Sequence, residues 1–450
     1  MRNQKLLFKL IIIAGLVLGS LIPLYLIDSI IAERQNRRTE VEKEISQTWG
    51  ESQDIVGPVL VIPYKYSNTT KKVDDENEKV PVIFNIYILP DDLSINNEIL
   101  PQIRYRDIYQ AVVYSTNLKF QGSFTIPNFS GMNIEDDDIL WDKAYLVLNI
   151  PDMRGIKNEV KCNWYQRNVT SMVRDTLTFL PGMRGDVPFK SGIHLDIPYI
   201  THDRNNKYSF NFSLGLNGSK SISFAPLGKV NKFNVKSSWQ TPSFSGSFLP
   251  TKRIINENGF ESEWEISYFG RTYPQYWLTS SFSDAYIKDL ILKSSPEINL
   301  IVPVDAYQKT TRSVKYGILF IALTFLAFFL IELLTDLKIH PLQYILVGLA
   351  LSLFYLLLLS LSEQWSFFSS FLLAGLGNIL LISLYVMSIL RSKSKGFMLA
   401  GILAVLYGFL YILLQIESYA LLAGSIGLFL ILAIVMYLTR KIDWYNQNVK

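Results

Sequence analysis

The chain is short of cysteine and histidine, the side chains on which most disulfide and metal chemistry depends. Its 450 residues include a single cysteine, Cys162, so no intramolecular disulfide can form. The histidines His194, His202 and His340 have neither HxH nor HxxxH spacing, which argues against a metal site. Because no G-x-S-x-G, P-loop or G-x-G-x-x-G motif occurs either, we expect neither an enzyme nor a cofactor-binding protein.

Charge is also scarce. Charged residues make up 18% of the chain and hydrophobic residues 49%, whereas a soluble protein carries about 25% charged residues. The formal net charge is only +4, and the basic residues do not form one concentrated run, so we expect no nucleic-acid partner. The deficit in charge indicates membrane segments.

Long apolar runs fill the last third of the chain, and none of them contains proline. Each is long enough to cross a hydrocarbon core of roughly 30 Å, which takes about 20 helical residues. Helices are favoured because lipid offers no hydrogen-bond partner to backbone N–H and C=O groups that are left unpaired. We therefore predict a five-helix transmembrane bundle over 317–438 and a tail over 439–450. The predicted spans are 317–334, 342–361, 367–390, 397–415 and 419–438.

The N-terminus carries another apolar run, at 10–27, preceded by Arg2 and Lys5. A cleavable signal peptide ends in small residues, yet a cut after Ala32 would have Ile30 at its −3 position. We therefore predict a retained transmembrane anchor over 1–27 rather than a cleaved signal.

The distribution of charge between the runs predicts their orientation. With both termini in the cytoplasm, the short basic loops fall inside and the short acidic loops outside, as the positive-inside rule requires. We therefore predict six spans and a large domain on the outer side of the membrane. The basic loop residues are Lys338, His340, Arg391, Lys393, Lys395, Arg440 and Lys441, and the acidic ones are Glu363 and Glu417.

The middle of the chain changes in character after a polar, periodic stretch at 28–54, which we interpret as a juxtamembrane helix. Short alternating runs rich in Val, Ile, Phe and Tyr follow, separated by Gly, Pro and Asn. These patterns are typical of antiparallel strands, so we predict a β-rich domain over 55–316. A dense group of Gly and Pro at 180–191 leaves open one or two subdomains, and 284–293 is a candidate helix.

A few polar side chains interrupt the apolar runs. Glu332 lies near the cytoplasmic end of its run and Asn378 in the middle of another. A polar group in lipid is costly and is a functional candidate by default, although Glu332 is close enough to the boundary to reach the headgroups. Several glycines in the runs are interpreted as close-packing positions between helices. They are Gly375, Gly377, Gly401, Gly424 and Gly427.

Stretches spread over nearly the whole chain resemble the CreD family of bacterial inner-membrane proteins. The N-terminal part has LIPLYLIDSIIAER at 21–34 and VGPVLVIPY at 56–64. The middle has SISFAPLGK at 221–229, WQTPSFSGSFLP at 239–250 and GFESEWEISYFGR at 259–271. The re-entry to the membrane has PVDAYQKTTRSVKYGILFIALTF at 303–325, and the end has TRKIDWY at 439–445.

This resemblance implies a bacterial inner membrane, a periplasmic β-rich domain and a role in cell-envelope integrity or envelope stress. It supplies no catalytic residues and no cofactor. Trp239 and Trp264, within the resembling stretches, and Tyr273, just after one of them, are candidates for a β core or for contact with a partner or the bilayer. Asp305, Lys309 and Arg312 lie where the soluble domain leads into the next span, and they either couple the two parts or cap a helix.

We therefore expect a non-enzymatic membrane protein whose periplasmic domain binds an envelope protein, a lipid or a cell-wall component. One alternative is a transporter or lipid-handling protein, which would need a polar cavity touching Glu332 or Asn378. A second alternative is an envelope hydrolase, which would need His194 or His202 close to a serine.

Overall fold

The computed structural model describes most of the chain, in twelve stretches. Within them the chain divides into two compact units, which we call the helical unit (Met1–Thr39 with Val304–Lys450) and the β unit (Glu40–Pro303). The described residues are 2–66, 70–73, 76–79, 82–129, 134–167, 172–185, 187–198, 200, 206–302, 306–335, 339–416 and 419–440.

The helices follow the predicted apolar runs. Within the described residues, five helical stretches are long and apolar enough to cross a membrane, or six if the helices Ala306–Lys315 and Gly317–Leu333, bent by 46°, count as one span. The multi-pass architecture is thus confirmed, while the sixth span depends on that bent pair. The helices are α1 (Arg2–Gly19), α2 (Leu21–Trp49), α3 (Asp284–Lys293), α4 (Ala306–Lys315), α5 (Gly317–Thr335), α6 (Pro341–Ser362), α7 (Phe367–Leu390), α8 (Lys393–Gln415) and α9 (Ala420–Thr439).

The polar breaks act as helix boundaries. The His340 side chain accepts a hydrogen bond of 3.2 Å from Leu342 N, and Pro341 occupies the first turn of α6, where a missing N–H costs nothing. Ser366 Oγ accepts from Ser369 N at 3.3 Å and begins α7. The α7 helix ends at Arg391, whose φ of 43° is left-handed. These caps satisfy or redirect backbone groups that lipid would leave unpaired.

The interpretation of the membrane glycines as packing positions is right for some and wrong for others. A Cβ on Gly427 would lie 2.2 Å from Phe409 Cζ, so this glycine lets α8 and α9 approach closely. A Cβ on Gly377 or Gly401 would meet no heavy atom of the described residues within 4 Å. Those two glycines therefore face open space, and sequence pattern alone does not distinguish the two situations.

The β unit is built from strands in two large sheets and a separate two-stranded sheet. The helix α3, predicted at 284–293, is confirmed there. The first ten strands are β1 (Gln53–Tyr66), β2 (Thr70–Val73), β3 (Glu76–Lys79), β4 (Val82–Ile88), β5 (Asp92–Arg106), β6 (Tyr109–Thr125), β7 (Tyr145–Asn149), β8 (Lys161–Arg167), β9 (Met172–Thr178) and β10 (Leu180–Pro181). The others are β11 (Gly192–Asp196), β12 (Lys207–Ser219), β13 (Ser221–Phe224), β14 (Val230–Ser237), β15 (Pro242–Gly246), β16 (Lys252–Asn256), β17 (Gly259–Ser267), β18 (Tyr276–Leu278) and β19 (Pro296–Leu300).

Both large sheets are mixed, so the prediction of antiparallel sheets is right for most of the described strand pairs and wrong for two of them. The first has the order β10-β11-β7-β1-β13-β19-β15, with β4 also on β1 and β18 on β4; the second has the order β16-β17-β14-β5-β6-β12-β8-β9. The pairs β1–β13 and β5–β14 are parallel. Parallel partners need long crossover connections, and here those partners are far apart in sequence, where local hairpin signals carry no information.

One hydrophobic cluster draws on both sheets. Residues of β1, β4 and β7 and residues of β5, β6 and β12 are buried together in it. Its aromatic side chains pack in pairs, such as Phe120 with Phe212 at a centroid distance of 4.6 Å. The stretch 180–191 belongs to this same unit.

The last turns of α2 pack on strands of the β unit. Trp49 Nε1 donates to Tyr114 O at 3.1 Å, and the Arg104 guanidinium lies 4.7 Å from the Trp49 ring centroid. Glu44 is paired with Arg106 at 2.5 Å. Gly50 then has a φ of 143°, and a Cβ there would lie 2.7 Å from Asn217 O. The sequence predicted a juxtamembrane helix at 28–54 but not the strands against which its last turns pack.

The single cysteine offers a direct test of the β-unit core. Burial raises the pKa of the Cys162 thiol from its ordinary value of 9.0 to about 12. At about pH 8, roughly one folded thiol in ten thousand is then ionised. We expect maleimide to label the folded chain far more slowly than the denatured chain, because the thiolate is the nucleophile.

The raised pKa of Cys162 also predicts how the stability of the β unit changes with pH. The folded state disfavours the thiolate, so the contribution of Cys162 to stability is constant below the unfolded pKa and is lost as pH rises from about 9 to about 12. A Cys162→Ala variant is expected to show a shallower decline over that range in denaturant unfolding. Rapid labelling of the native chain would contradict the burial of this side chain.

Candidate functional site

The β unit contains a cleft where β5, β14 and the β16–β17 hairpin meet. The cleft has a volume of about 430 Å³, within the range of small binding sites. It opens beside β16, which is the edge strand of its sheet among the described residues. We call it the edge cleft; its lining includes Glu98, Leu100, Lys236, Ile254, Asn258 and Glu261.

The edge cleft combines exposed aliphatic side chains with charges of both signs. Leu100 is 55% exposed and Ile254 61% exposed. Lys236 Nζ lies 2.9 Å from Glu261 Oε1, and this hydrogen bond raises the pKa of Lys236. An unpaired strand edge next to alternating apolar and charged positions is suited to an extended polypeptide, which adds a strand and places side chains in the cleft.

Trp239, one of the candidate residues predicted from the sequence, directly follows Ser238, which lines the edge cleft. Its indole is half-buried, and Nε1 donates to Ile301 O at 3.0 Å. The neighbouring Gln240 donates from Nε2 to Glu257 O at 2.6 Å. Glu257 is in the β16–β17 turn, so Gln240 helps to fix the hairpin that forms one wall, whereas Trp239 is bonded to the residue that follows β19.

Trp264 and Tyr273 lie in the core rather than at a surface. Trp264 is 2% exposed, and its Nε1 donates to Phe248 O at 3.1 Å. Tyr273 donates to Pro226 O at 3.1 Å, and burial raises the pKa of its hydroxyl. Neither side chain presents a surface to a partner in this structure, so both are better explained as core residues.

The hydrolase alternative depended on a histidine near a serine. His194 Nδ1 lies 2.7 Å from Gly182 O, a contact that fixes the ring against the backbone. His202 lies outside the described residues. The described contact of His194 therefore does not support a hydrolase.

Glu332 is part of a polar contact inside the helical unit. Its carboxylate is paired with Lys9 of α1, and it accepts from the Tyr344 hydroxyl at 3.4 Å. Lys9 Nζ also donates to Ile339 O at 3.0 Å. The acid therefore joins the N-terminal helix to α5 and α6. The sequence identified Glu332 but not Lys9, its partner 323 positions away.

Asn378 is also satisfied within the helices. It is 4% exposed, and its Nδ2 donates to the Tyr407 hydroxyl of α8 at 2.7 Å. Phe320 and Phe354 pack on the Tyr407 ring at centroid distances of 4.6 and 4.7 Å. This asparagine thus links α7 to α8 in an aromatic surrounding.

The short helix α4 buries a polar face that includes Lys309, one of the three charged residues that the sequence placed at the re-entry to the membrane. Lys309 is 8% exposed, donates to Gln415 Oε1 at 3.1 Å and lies 5.3 Å from the Phe367 ring centroid. Thr310 and Ser313 are also buried, on the same face by their i, i+3/i+4 spacing. That spacing, in an otherwise polar segment, was the sequence signal from which the shared face of these residues could have been predicted. Arg312 is half-buried on α4, and Asp305 lies outside the described residues.

These features define a multi-pass membrane protein with a large β-sheet unit. A family model described as inner membrane protein CreD matches residues 5–445. The chain is 33% identical over 447 residues to inner membrane protein CreD of Escherichia coli (strain K12), an alignment that covers 99% of this chain and 95% of that protein. The chain therefore belongs to the CreD family of inner membrane proteins.

Proposed function

We propose that this protein supports cell-envelope integrity without enzymatic chemistry, by binding an extended segment of an envelope protein at the edge cleft. In this proposal the β unit faces the periplasm and both chain termini are cytoplasmic. The loop charges support the orientation through the positive-inside rule. The edge cleft, with β16 at the sheet edge and Leu100 and Ile254 exposed beside it, carries the binding part.

The chemistry of the cleft favours a polypeptide over other envelope components. A strand edge supplies backbone hydrogen bonds to another chain, and side-chain pockets add specificity. The side chains of Glu98 and Lys236 offer both signs of charge, which suits a mixed sequence more than a uniformly anionic polymer. Membership of the CreD family is consistent with an envelope role. The polypeptide partner is our own proposal and rests on the chemistry of the edge cleft.

In-cell photo-crosslinking tests the binding site. A photo-reactive amino acid at Leu100 or Ile254 of the full-length protein is expected to capture the same envelope protein from both positions. Phe269 is the matched control, because it is 83% exposed and follows the far end of β17, roughly 25 Å from the cleft at 3.3 Å per residue.

The comparison between positions decides the outcome. Capture from both cleft positions and not from Phe269 would support the proposal. Equal capture from all three positions would indicate nonspecific proximity. Absence of capture from both cleft positions would contradict binding at the edge cleft. A Lys236→Glu variant, which places three acids together in the cleft, is expected to reduce capture from Ile254.

The transporter alternative required a polar cavity at Glu332 or Asn378. Neither of the cavities described in the helical unit, of about 820 and 20 Å³, is lined by either residue. Within the described residues, both side chains instead have partners among the helices. No specific observation therefore favours transport over partner binding.

A further inference from the structure

The helical unit contains an apolar groove between α5, α8 and α9. Its volume is about 820 Å³, within the range typical of ligand sites. The walls are formed by aliphatic side chains together with Met398 and Gly401. The helices around it are candidate membrane spans, so in a bilayer the groove would open to lipid rather than to water.

Beyond the part of α8 that lines the groove, α8 and α9 pack closely. They approach where Phe409 lies against Gly427. The groove is lined by Met398–Leu406, near the start of α8, and by Ile431–Leu438, near the end of α9, so these two helix ends share one end of the unit. Toward that end, Gly401 has open space in place of a packed neighbour.

The length of the groove matches one leaflet of a bilayer. Its lining on α8 extends from Met398 to Leu406, which is about 12 Å at 1.5 Å per residue. The hydrocarbon core is roughly 30 Å thick, so the groove covers somewhat less than half of it. A single acyl chain from the adjacent leaflet therefore fits its length and its apolar lining.

The end at which the groove opens carries positive charge. Lys395 lies one helical turn before Met398, on the same face of α8. Arg440 follows Leu438 at the end of α9, with its guanidinium 4.0 Å from the Tyr437 ring centroid. Neither cation is in an ion pair among the described residues, and Glu332, the acid of α5, is already paired with Lys9.

We propose that this groove holds an acyl chain of an anionic glycerophospholipid whose phosphate group meets Lys395 and Arg440. Basic side chains between spans are a known chemical basis for binding anionic headgroups. Apolar contact alone gives no preference for the groove over the surrounding bilayer, so the cations supply selectivity and the shape of the groove supplies retention. This inference is independent of the partner proposed for the edge cleft.

Lipid retention in the full-length protein tests the proposal. The protein is reconstituted in nanodiscs of phosphatidylglycerol and phosphatidylethanolamine, released into detergent, and weighed by native mass spectrometry. We expect the wild type to keep phosphatidylglycerol. Gly401→Leu fills the groove and is expected to reduce the retained fraction roughly tenfold. Gly377→Leu is the matched control, because Gly377 also faces open space but is not part of the groove lining.

A second variant tests the headgroup. The double change Lys395→Gln and Arg440→Gln leaves the groove intact, and each lost cation is expected to reduce the preference for phosphatidylglycerol by roughly fivefold. Retention by Gly401→Leu equal to the wild type, or an unchanged preference in the double variant, would overturn the proposal. A dimer that Gly401→Leu converts to a monomer would also overturn it, by identifying a second copy as the occupant.

Discussion

Replacing Glu332 with leucine is expected to destabilise the full-length protein by roughly 3 kcal/mol, the scale seen when one partner of a buried ion pair is removed. The side chains of Lys9 and Glu332 are 22% and 13% exposed, and in a membrane that remaining surface faces lipid or headgroups rather than bulk water. The variant leaves the Lys9 ammonium with Ile339 O as its remaining described acceptor. Thermal unfolding in detergent, followed by circular dichroism, measures the loss.

The matched control removes both charges. A Lys9→Met, Glu332→Leu double variant keeps similar volume and leaves no orphaned charge, so it is expected to be more stable than Glu332→Leu alone. The reversed pair, Lys9→Glu with Glu332→Lys, is expected to recover part of the stability. If Glu332→Leu melts with the wild type, the ammonium reaches the headgroups without cost and the pair does not hold α1 in place.

A catalytic or transport role would give a different pattern. If Glu332 carried protons, the double variant would be stable but inactive in the envelope, because its chemistry would be lost with its charge. If the pair is structural, the double variant should support envelope integrity as well as its stability allows. Stability and envelope phenotype, measured on the same variants, therefore separate the two roles.

The apolar spans could be predicted from sequence because their signal is local. A run of about 20 apolar residues forms a spanning helix in lipid. The polar breaks at His340 and Ser366 are helix caps in the structure. The strands of the β unit were partly predictable for the same reason. The parallel pairing of Val230 with Asp92 could not be predicted, because it joins strands that no local pattern connects.

The candidate sites were less predictable than the spans. Glu332 and Asn378 were found because polar groups are conspicuous in apolar runs, but their partners Lys9 and Tyr407 are set by tertiary packing. The edge cleft could not be found, since Leu100 and Ile254 are ordinary strand residues until the sheet order places them together. The tryptophans illustrate the same limit, because sequence does not show which indole is buried.

Replacing Trp264 with alanine is expected to destabilise the β unit by about 3–5 kcal/mol, the cost of truncating a buried aromatic side chain. The indole is 2% exposed and packs edge-on against Phe244 at a centroid distance of 5.7 Å. The variant also removes the donor to Phe248 O, which leaves that carbonyl without this partner. Urea unfolding of the full-length protein, followed by tryptophan fluorescence, measures the change.

Two further variants separate core packing from partner binding. Trp264→Phe keeps most of the aromatic volume and is expected to lose less stability than alanine, while Phe269→Ala, at an exposed position, is expected to lose little. If Trp264 acts only through the core, capture of a partner from Ile254 should fall in proportion to the unfolded fraction in each variant. A Trp264→Ala protein that stays folded but loses capture would instead return this residue to the binding site, and would mean that the indole is reached from the surface.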